Sequence, residues 1–218
     1  SSFPPPRIHA MTRPDPVVFV VDDDEAVRDS LDSLLGSVNL PVKAFASGRA
    51  FLDAYRDGET GCLVADIRMP GMSGLDLQSE LARRSIDLPM IMITGHGDIK
   101  MCARAMKAGA FDFVEKPFNG QELLDLIHKA VEINLESAGR RDELAEIRRR
   151  LDQVKPRDRE VLDGIVSGET NKKIAERLEL SAKTVEFRRA KVMRTMQAKT
   201  LADLVKMVMT LQAAERNG

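Results

Sequence analysis

The stretch VVFVVDDDE, residues 17–25, joins five apolar residues directly to four carboxylates. A short unbroken run of β-branched and aromatic residues is typical of a strand buried on both faces of a parallel sheet. Four like charges in succession repel one another and cost stability. The stretch therefore predicts a central strand with an acidic site at its carboxyl end.

Four more apolar runs of this kind occur along the first half of the chain, at residues 41–45, 62–65, 90–93 and 111–114. Helical apolar spacings lie between them. Strands that alternate with helices predict an α/β doubly wound, five-stranded parallel sheet with helices on both faces. In such a sheet ligands bind beyond the carboxyl ends of the strands, so the functional site is expected there.

The bulk composition describes a globular protein of 218 residues, with 43% hydrophobic and 31% charged residues. The two cysteines, Cys62 and Cys102, lie in apolar surroundings without metal-ligand spacing, which predicts free thiols in a reducing compartment. No apolar run approaches the length that a membrane span requires. We expect a cytoplasmic protein.

The net charge of −1 conceals two halves of opposite sign. Residues 11–135 contain 13 Lys and Arg against 20 Asp and Glu, a difference of −7. Residues 136–218 contain 19 against 14, a difference of +5. An acidic half followed by a basic half indicates two roles, with nucleic acid a candidate partner for the second.

The chain divides by pattern into four segments. Residues 1–15 are Pro-rich and are expected to be a disordered leader or an expression remnant. Residues 16–135 form the predicted α/β domain, and residues 155–218 show only helical patterns, which predict an all-α domain of four helices. Residues 136–154 predict a long helical linker with an apolar seam that packs or self-associates; a solvated single helix is the alternative. The seam comprises Leu144, Ile147, Leu151 and Val154.

Chemically distinct side chains arrive from several strand ends at one edge of the predicted sheet. The pair Asp22 and Asp23 follows the first strand, Asp66 the third, Thr94 the fourth and Lys116 the fifth. Clustered carboxylates suit Mg²⁺, which prefers oxygen ligands and keeps several waters. With a hydroxyl and an ammonium beside them, they suit phosphoryl transfer to a carboxylate, in which one Asp is the nucleophile.

Four stretches, VVDDDE, ADIRMPGMSG, TGHGD and EKPF, together resemble the receiver domain of bacterial two-component response regulators over about residues 16–135. The resemblance implies a flavodoxin-like fold, Asp66 as phospho-acceptor, a sensor histidine kinase as phosphoryl donor, and Mg²⁺ or Mn²⁺ as cofactor. The metal ligands that it implies are Asp22, Asp23, Asp66 and the main-chain carbonyl of Arg68. Asp24 and Glu25 are not among these ligands; we expect them at the start of the next helix, where they favour its dipole.

The same resemblance gives Thr94 and Lys116 the role of reading the phosphoryl group. It makes Phe113 the aromatic residue that changes rotamer when Thr94 moves; many relatives have Tyr here, and a plain core Phe is the alternative. Pro117 corresponds to the family's cis-proline. By family precedent the face formed by residues 98–113 is a dimer surface.

Residues 156–213 resemble the LuxR-type helix-turn-helix of FixJ-like response regulators, through PRDREVL and SGETNKKIAERLELSAKTVEFRRAKVM. Ser181 is placed to cap the recognition helix, with Thr184 three residues later. Two positions depart from the family pattern: Lys155 replaces the usual Ser or Thr cap of the first helix, and Arg188 stands where relatives often carry His. We therefore expect a frayed first helix and an operator preference of its own.

The predicted DNA contacts fall into two groups, because phosphate contacts position a protein and base contacts specify sequence. The predicted backbone contacts are Lys172, Lys183, Thr184, Arg188, Lys191 and Arg194. The predicted base-facing residues are Glu186, Phe187, Arg189 and Ala190.

These features predict a response regulator that is not an enzyme beyond assisting its own phosphorylation and dephosphorylation. Its expected partners are a histidine kinase, a double-stranded DNA operator, a second copy of itself after phosphorylation and, as a further candidate, RNA polymerase. One alternative is a phosphorylation-independent DNA-binding or adaptor protein with a vestigial acidic pocket. Another is a phosphohydrolase, but that class usually carries a second Asp two residues after the nucleophile, where this chain has Arg68.

Overall fold

The computed structural model describes residues 15–95 and 99–217. The predicted leader, apart from Asp15, and residues 96–98 of the TGHGD motif lie outside this range. The described elements are β1 (Val17–Val21), α1 (Glu25–Gly36), β2 (Val42–Phe45), α2 (Gly48–Ala54), β3 (Gly61–Asp66), α3 (Gly74–Arg83), β4 (Met90–Thr94), α4 (Ile99–Lys107), β5 (Asp112–Glu115), α5 (Gly120–Asp152), α6 (Pro156–Val166), α7 (Asn171–Arg177), α8 (Ala182–Thr195) and α9 (Leu201–Asn217).

The strands form one sheet in the order β2-β1-β3-β4-β5, and every neighbouring pair in it is parallel. β1 lies between β2 and β3, so it is an interior strand of the sheet. The predicted α/β doubly wound class is confirmed. The strand order reverses between β1 and β3, which places the expected crevice at the ends of these two strands.

Alternate residues of β1 supply two separate cores because successive side chains point to opposite faces of a strand. Val18 and Val20 pack in a cluster with residues of α1 and α5. Phe19 and Val21 pack on the other face with residues of α2, α3 and α4. The unbroken apolar run of β1 is thus explained by helices on both faces.

Three strands extend further toward their carboxyl ends than the apolar runs indicated. β3 includes Asp66, β4 includes Thr94 and β5 ends at Glu115. Ladder pairing depends on main-chain groups rather than on side-chain polarity, and Asp66 pairs with Ile93 while Thr94 pairs with Glu115. The polar site residues are therefore held by the sheet itself.

The described residues divide into two compact units, and the boundary lies between Ala138 and Gly139. The division falls inside the predicted linker segment, and α5 contains both the predicted closing helix and most of that linker. In the second unit Ile147 and Val154 are buried in the core of α6–α9, and Leu144 and Leu151 pack against it. The apolar seam is therefore packed within the helical unit, so the solvated-helix alternative does not hold for it.

The second unit contains the four predicted helices, α6 to α9, and the starts of α6 and α8 differ in their caps. The Ser181 hydroxyl accepts a hydrogen bond from the Thr184 amide at 3.0 Å, as the sequence predicted. At the start of α6, Lys155 provides no side-chain cap, and Pro156 occupies the first turn. No helix within residues 15–95 and 99–217 has both the length and the hydropathy needed to cross a membrane.

Candidate functional site

Three charged side chains from three strand ends meet at the carboxyl edge of the sheet. Asp22 follows β1, Asp66 ends β3 and Lys116 follows β5. The Lys116 ammonium donates to Asp66 Oδ2 at 2.6 Å and to Asp22 Oδ2 at 3.1 Å. The structure thus brings together residues that are up to 94 positions apart in the chain.

Asp22 is the most enclosed member of this cluster, with 1% of its surface exposed. Its Oδ1 accepts the Asp24 amide at 2.9 Å. Burial raises the pKa of the Asp22 carboxyl, although the hydrogen bonds from Asp24 and Lys116 act in the opposite direction. Burial also works against the charge of Lys116, but its hydrogen bonds to Asp66 and Asp22 prevail and raise the pKa of the ammonium.

Asp66 is only partly enclosed, since 14% of its side chain is exposed. Its Oδ1 accepts the Arg68 amide at 2.7 Å, so that this single carboxylate is oriented from both sides. A Cβ at Gly74 would lie 2.7 Å from the Asp66 main-chain oxygen. Glycine at that position lets α3 begin directly against the strand end, a constraint that the sequence analysis missed.

The acidic stretch after β1 separates into three different environments. Asp22 points into the cluster and is buried, whereas Asp23 is exposed at its rim. Asp24 is the N-cap of α1, and its Oδ1 accepts the Ala26 amide at 2.9 Å. Glu25 lies in the first turn of α1, where a negative charge favours the helix dipole. The expected helix-start position of Asp24 and Glu25 is therefore observed.

A basic residue near the acidic cluster was also missed by the sequence analysis. Arg28 of α1 is half-buried, and its Nη1 donates to the Asp22 main-chain oxygen at 2.7 Å. Its positive charge lies beside the turn that carries Asp22, Asp23 and Asp24. An arginine in the first turns of a helix that follows an acidic loop is the sequence signal that could have identified it.

The donor set of the cluster fits a hard cation that retains water. The carboxylates of Asp22 and Asp66 converge on one ammonium, and Asp23 is adjacent to Asp22. In the described part of the chain, no three His, Cys, Asp or Glu side chains are grouped so as to hold a metal ion. Mg²⁺ is usually bound through one or two carboxylates together with waters and phosphate oxygens, so the set suits Mg²⁺. Among the residues that the structure describes, the cluster contains no Cys or His side chain, so it does not suit a metal that depends on thiolate or imidazole ligands.

Thr94 lines a cavity of about 250 Å³, and its main-chain oxygen accepts the Lys116 amide at 2.7 Å. The Thr94 side chain is buried, and its hydroxyl lies 3.4 Å from the Val114 carbonyl oxygen. Phe113, with 42% of its surface exposed, lines the same cavity together with Cys102 and Met106 of α4. The core-Phe alternative is therefore wrong, because β5 directs this ring away from the sheet core. The Lys116–Pro117 peptide bond is cis, the isomer that the resemblance implied.

The second unit presents one exposed face of α8. Lys183, Phe187, Ala190 and Arg194 follow one another at spacings of four, three and four residues, and all are exposed. Phe187 is 71% exposed, which is unusual for a large apolar side chain. Glu186 lies beside this stripe and is also exposed. A cationic helix face that displays an aromatic ring is suited to the major groove.

Three of the other predicted DNA contacts have partners inside the unit. Arg188 Nη1 and Lys191 Nζ each lie 2.7 Å from a carboxylate oxygen of Asp158 in α6. Arg189 Nη1 donates to Asn171 Oδ1 at 2.6 Å. These cations are directed toward α6 and α7, which their charge alone did not indicate.

The two remaining predicted contacts lie near the amino ends of α7 and α8. Lys172 has 87% of its side chain exposed and lies 4.0 Å from Glu176. Thr184 is half-buried, and its hydroxyl lies 2.8 Å from that of Ser181. Both are near an exposed helix start, which is compatible with phosphate contact.

Comparison with known proteins assigns a family to each unit. Residues 18–128 match the response regulator receiver domain, and residues 154–208 match bacterial regulatory proteins of the luxR family. Nodulation protein W of Bradyrhizobium diazoefficiens is 46% identical over 195 residues, which cover 89% of this chain and 86% of that protein. The transcriptional regulatory protein FixJ of Rhizobium meliloti is 44% identical over 195 residues, covering 89% and 96%. The solved structure of the response regulator StyR has a TM-score of 0.85 and 41% identity, covering 90% of this chain and 99% of that one.

Proposed function

The chain belongs to the FixJ-type response regulators, which join a receiver domain to a LuxR-type DNA-binding domain, and we propose that phosphorylation of Asp66 controls its binding to DNA. The phosphoryl donor is a sensor histidine kinase. The observation that carries the proposal is the Lys116 ammonium, which contacts both Asp66 and the buried Asp22.

The reaction is a displacement at phosphorus. A carboxylate oxygen of Asp66 attacks the phosphoryl group, the new O–P bond forms, and the P–N bond to the kinase histidine breaks. Lys116 is placed to neutralise phosphoryl oxygens as charge develops on them. The Arg68 amide keeps Asp66 oriented through Oδ1. Orientation and charge compensation are the contributions that this type of transfer requires from a protein.

The cation would be held by Asp22, Asp23, Asp66 and the main-chain carbonyl of Arg68. Mg²⁺, or Mn²⁺ in its place, supplies charge neutralisation and orientation of phosphoryl oxygens when bound. Support comes from the carboxylate-rich donor set and from the buried position of Asp22. Arg28 anchors the turn that carries two of these ligands by its hydrogen bond to the Asp22 carbonyl.

The signal passes from the phosphoryl group through Thr94 and Phe113. Phosphorylation adds about −1.5 to −2 charges at the cluster, which attract the Thr94 hydroxyl and the Lys116 ammonium. Movement of Thr94 changes the wall of the cavity that it shares with Phe113. The Phe113 ring then turns inward from its exposed position, and the face formed by residues 98–113, of which the structure describes 99–113, becomes a dimer surface.

The dimer places two copies of α8 in successive major grooves, about one turn of DNA apart. Lys172, Lys183, Thr184 and Arg194 contact phosphates, and Glu186, Phe187 and Ala190 face base edges. An exposed phenyl ring can contact a thymine methyl group, and a carboxylate can accept a hydrogen bond from cytosine. The result is regulated transcription in the cytoplasm, with RNA polymerase a further partner. The receiver assists only its own phosphorylation and dephosphorylation.

Acetyl phosphate with Mg²⁺ tests the first step on the full-length chain. Intact-protein mass spectrometry should show one added phosphoryl group, which does not form when Mg²⁺ is chelated before acetyl phosphate is added and is absent in Asp66→Asn. If Asp66→Asn gains phosphate as readily as the native chain, Asp66 is not the acceptor.

DNA selected from a random pool, with and without phosphorylation, tests the second step. Phosphorylated protein should recover two half-sites in symmetric arrangement, and it should bind them more tightly than unphosphorylated protein. Equal binding in both states would favour a phosphorylation-independent DNA-binding protein.

A further inference from the structure

The inward stripe of α8 contains a charged residue among buried apolar ones. Val185, Val192 and Met196 are fully buried in the helical core. Arg188 is three residues after Val185 and four before Val192, so it lies on the same stripe. Its side chain is only 19% exposed. A cation in this position requires a partner inside the unit, because an unpaired buried charge is costly.

Asp158 of α6 is that partner, and it is itself 3% exposed. Its two carboxylate oxygens are divided between two residues of α8: Oδ1 lies 2.7 Å from Arg188 Nη1, and Oδ2 lies 2.7 Å from Lys191 Nζ. Burial alone would raise the pKa of Asp158, but the hydrogen bonds from Lys191 and Arg188 prevail and lower it. The carboxylate therefore stays charged between two cations one helical turn apart.

A second observation indicates that the Arg188 guanidinium faces the interior of the unit. Within the described residues its Nε is buried and has no hydrogen-bond partner. A guanidinium that binds DNA phosphate would direct its N–H groups to solvent, whereas the Nε of Arg188 is buried inside the unit. Lys183, on the opposite side of α8, is exposed and belongs to the outward stripe with Phe187 and Arg194.

We infer that Arg188 and Asp158 are positioning residues, which hold α8 against α6 so that its outward stripe meets DNA, and that Arg188 does not contact DNA phosphate. The inference rests on the proposed DNA binding and deepens it. It separates Arg188, which orients α8 from its buried stripe, from the exposed cations Lys183 and Arg194, which neutralise phosphates. Arg188, which stands where relatives often carry His, therefore determines how α8 is placed against α6.

The dependence of DNA affinity on salt separates the two roles. Each lost phosphate contact reduces the slope of log K against log salt by about one. Fluorescence anisotropy of the full-length chain, with and without acetyl phosphate, would use a labelled duplex of mixed sequence and a duplex recovered by selection. Arg188→Gln should leave the slope unchanged while its preference for the selected duplex falls by about tenfold. Lys183→Gln is the matched control on the outward stripe, and it should lower the slope by about one.

A slope for Arg188→Gln that falls as much as for Lys183→Gln would overturn the inference. A slope and a duplex preference that both stay at the native value would overturn it as well.

Amide hydrogen exchange of α6 and α8 in the full-length chain gives a measurement that does not require DNA. Asp158→Asn leaves two cations without their carboxylate and should speed exchange in α8 by at least about tenfold. In the double variant Asp158→Asn, Arg188→Gln the effect should be smaller than the product of the single effects. If the single effects multiply, Asp158 and Arg188 are not coupled and the inference fails. If the native chain binds neither duplex, the proposed DNA binding fails, while the exchange experiment still decides whether the two residues act together.

Discussion

Replacing Asp24 by alanine should weaken the receiver unit without affecting the phosphorylation of Asp66. The Asp24 side chain is exposed, and its Oδ1 accepts the Ala26 amide at the first turn of α1. Loss of such a cap costs about 1 kcal/mol. The hydrogen bond from the Asp24 amide to Asp22 uses the main chain, so alanine keeps it.

Tyr55 allows this cost to be measured in the receiver unit alone. It is the single tyrosine of a chain without tryptophan, and its ring packs against Phe19 and Phe51. Urea unfolding followed by Tyr55 fluorescence should show a midpoint lowered by roughly 0.5 M, given a dependence of about 2 kcal/mol per molar urea. The rate of phosphorylation by acetyl phosphate should stay within about twofold of the native rate, because the acidic cluster keeps all of its contacts.

Asp23→Ala is the matched control, and it should give the reverse result. Asp23 is exposed and lies beside the buried Asp22, so its removal relieves like-charge repulsion and should leave the urea midpoint unchanged or slightly raised. Phosphorylation at limiting Mg²⁺ should fall by at least about tenfold if Asp23 is a cation ligand. Equal losses of phosphorylation in both variants would refute the division of the acidic stretch into a ligand and a helix cap.

Three further outcomes are expected. The Phe113→Trp variant has a single tryptophan, because the native chain has none. Its fluorescence emission should shift to shorter wavelength on phosphorylation as the ring enters the cavity, and unchanged emission would contradict the inward movement. Ile147→Ala should lower the free energy of unfolding of the helical unit by about 3 kcal/mol, measured by circular dichroism, while the unfolding transition reported by Tyr55 stays unchanged. An unchanged unfolding curve of the helical unit would contradict the packing of the seam. Burial raises the pKa of the Cys62 thiol to about 12, so a disulfide reagent at pH 8 should label Cys102, which lies at the cavity wall, before Cys62. The control is Cys102→Ser, in which labelling of Cys62 in the folded protein would contradict the burial of Cys62.

Much of the site could be predicted because parallel strands deliver their carboxyl ends to one edge. Asp22, Asp66 and Lys116 each follow or end an apolar run, and that placement alone implied that they meet. The helix-start position of Asp24 could be predicted as well, since a carboxylate before a helical pattern is a common cap. Gly74 was missed because its close contact is to a main-chain oxygen, which carries no sequence signal. Arg28 was missed although its position in the helix after the acidic loop offered one.

The recognition helix shows where reasoning from charge is insufficient. Lys183 and Arg188 are equivalent in a count of basic residues, yet one is exposed and the other is held by Asp158. The apolar spacing of Val185 and Val192 could have placed Arg188 on the inward stripe, but the sequence analysis assigned Arg188 to the DNA backbone. Its partner could not be inferred, because Asp158 is 30 residues away in another helix.

The sequence by itself determined the two domains, the order of strands and helices, and the chemical types of the residues at the strand ends. Periodicity and composition act locally, and the rule for parallel sheets converts them into a shared edge. Tertiary structure alone decided that Lys116 joins Asp22 to Asp66, that Phe113 is exposed beside a cavity, and that Arg188 is paired with Asp158. These outcomes depend on distances between side chains far apart in the chain, which are determined by the packing of whole helices and strands.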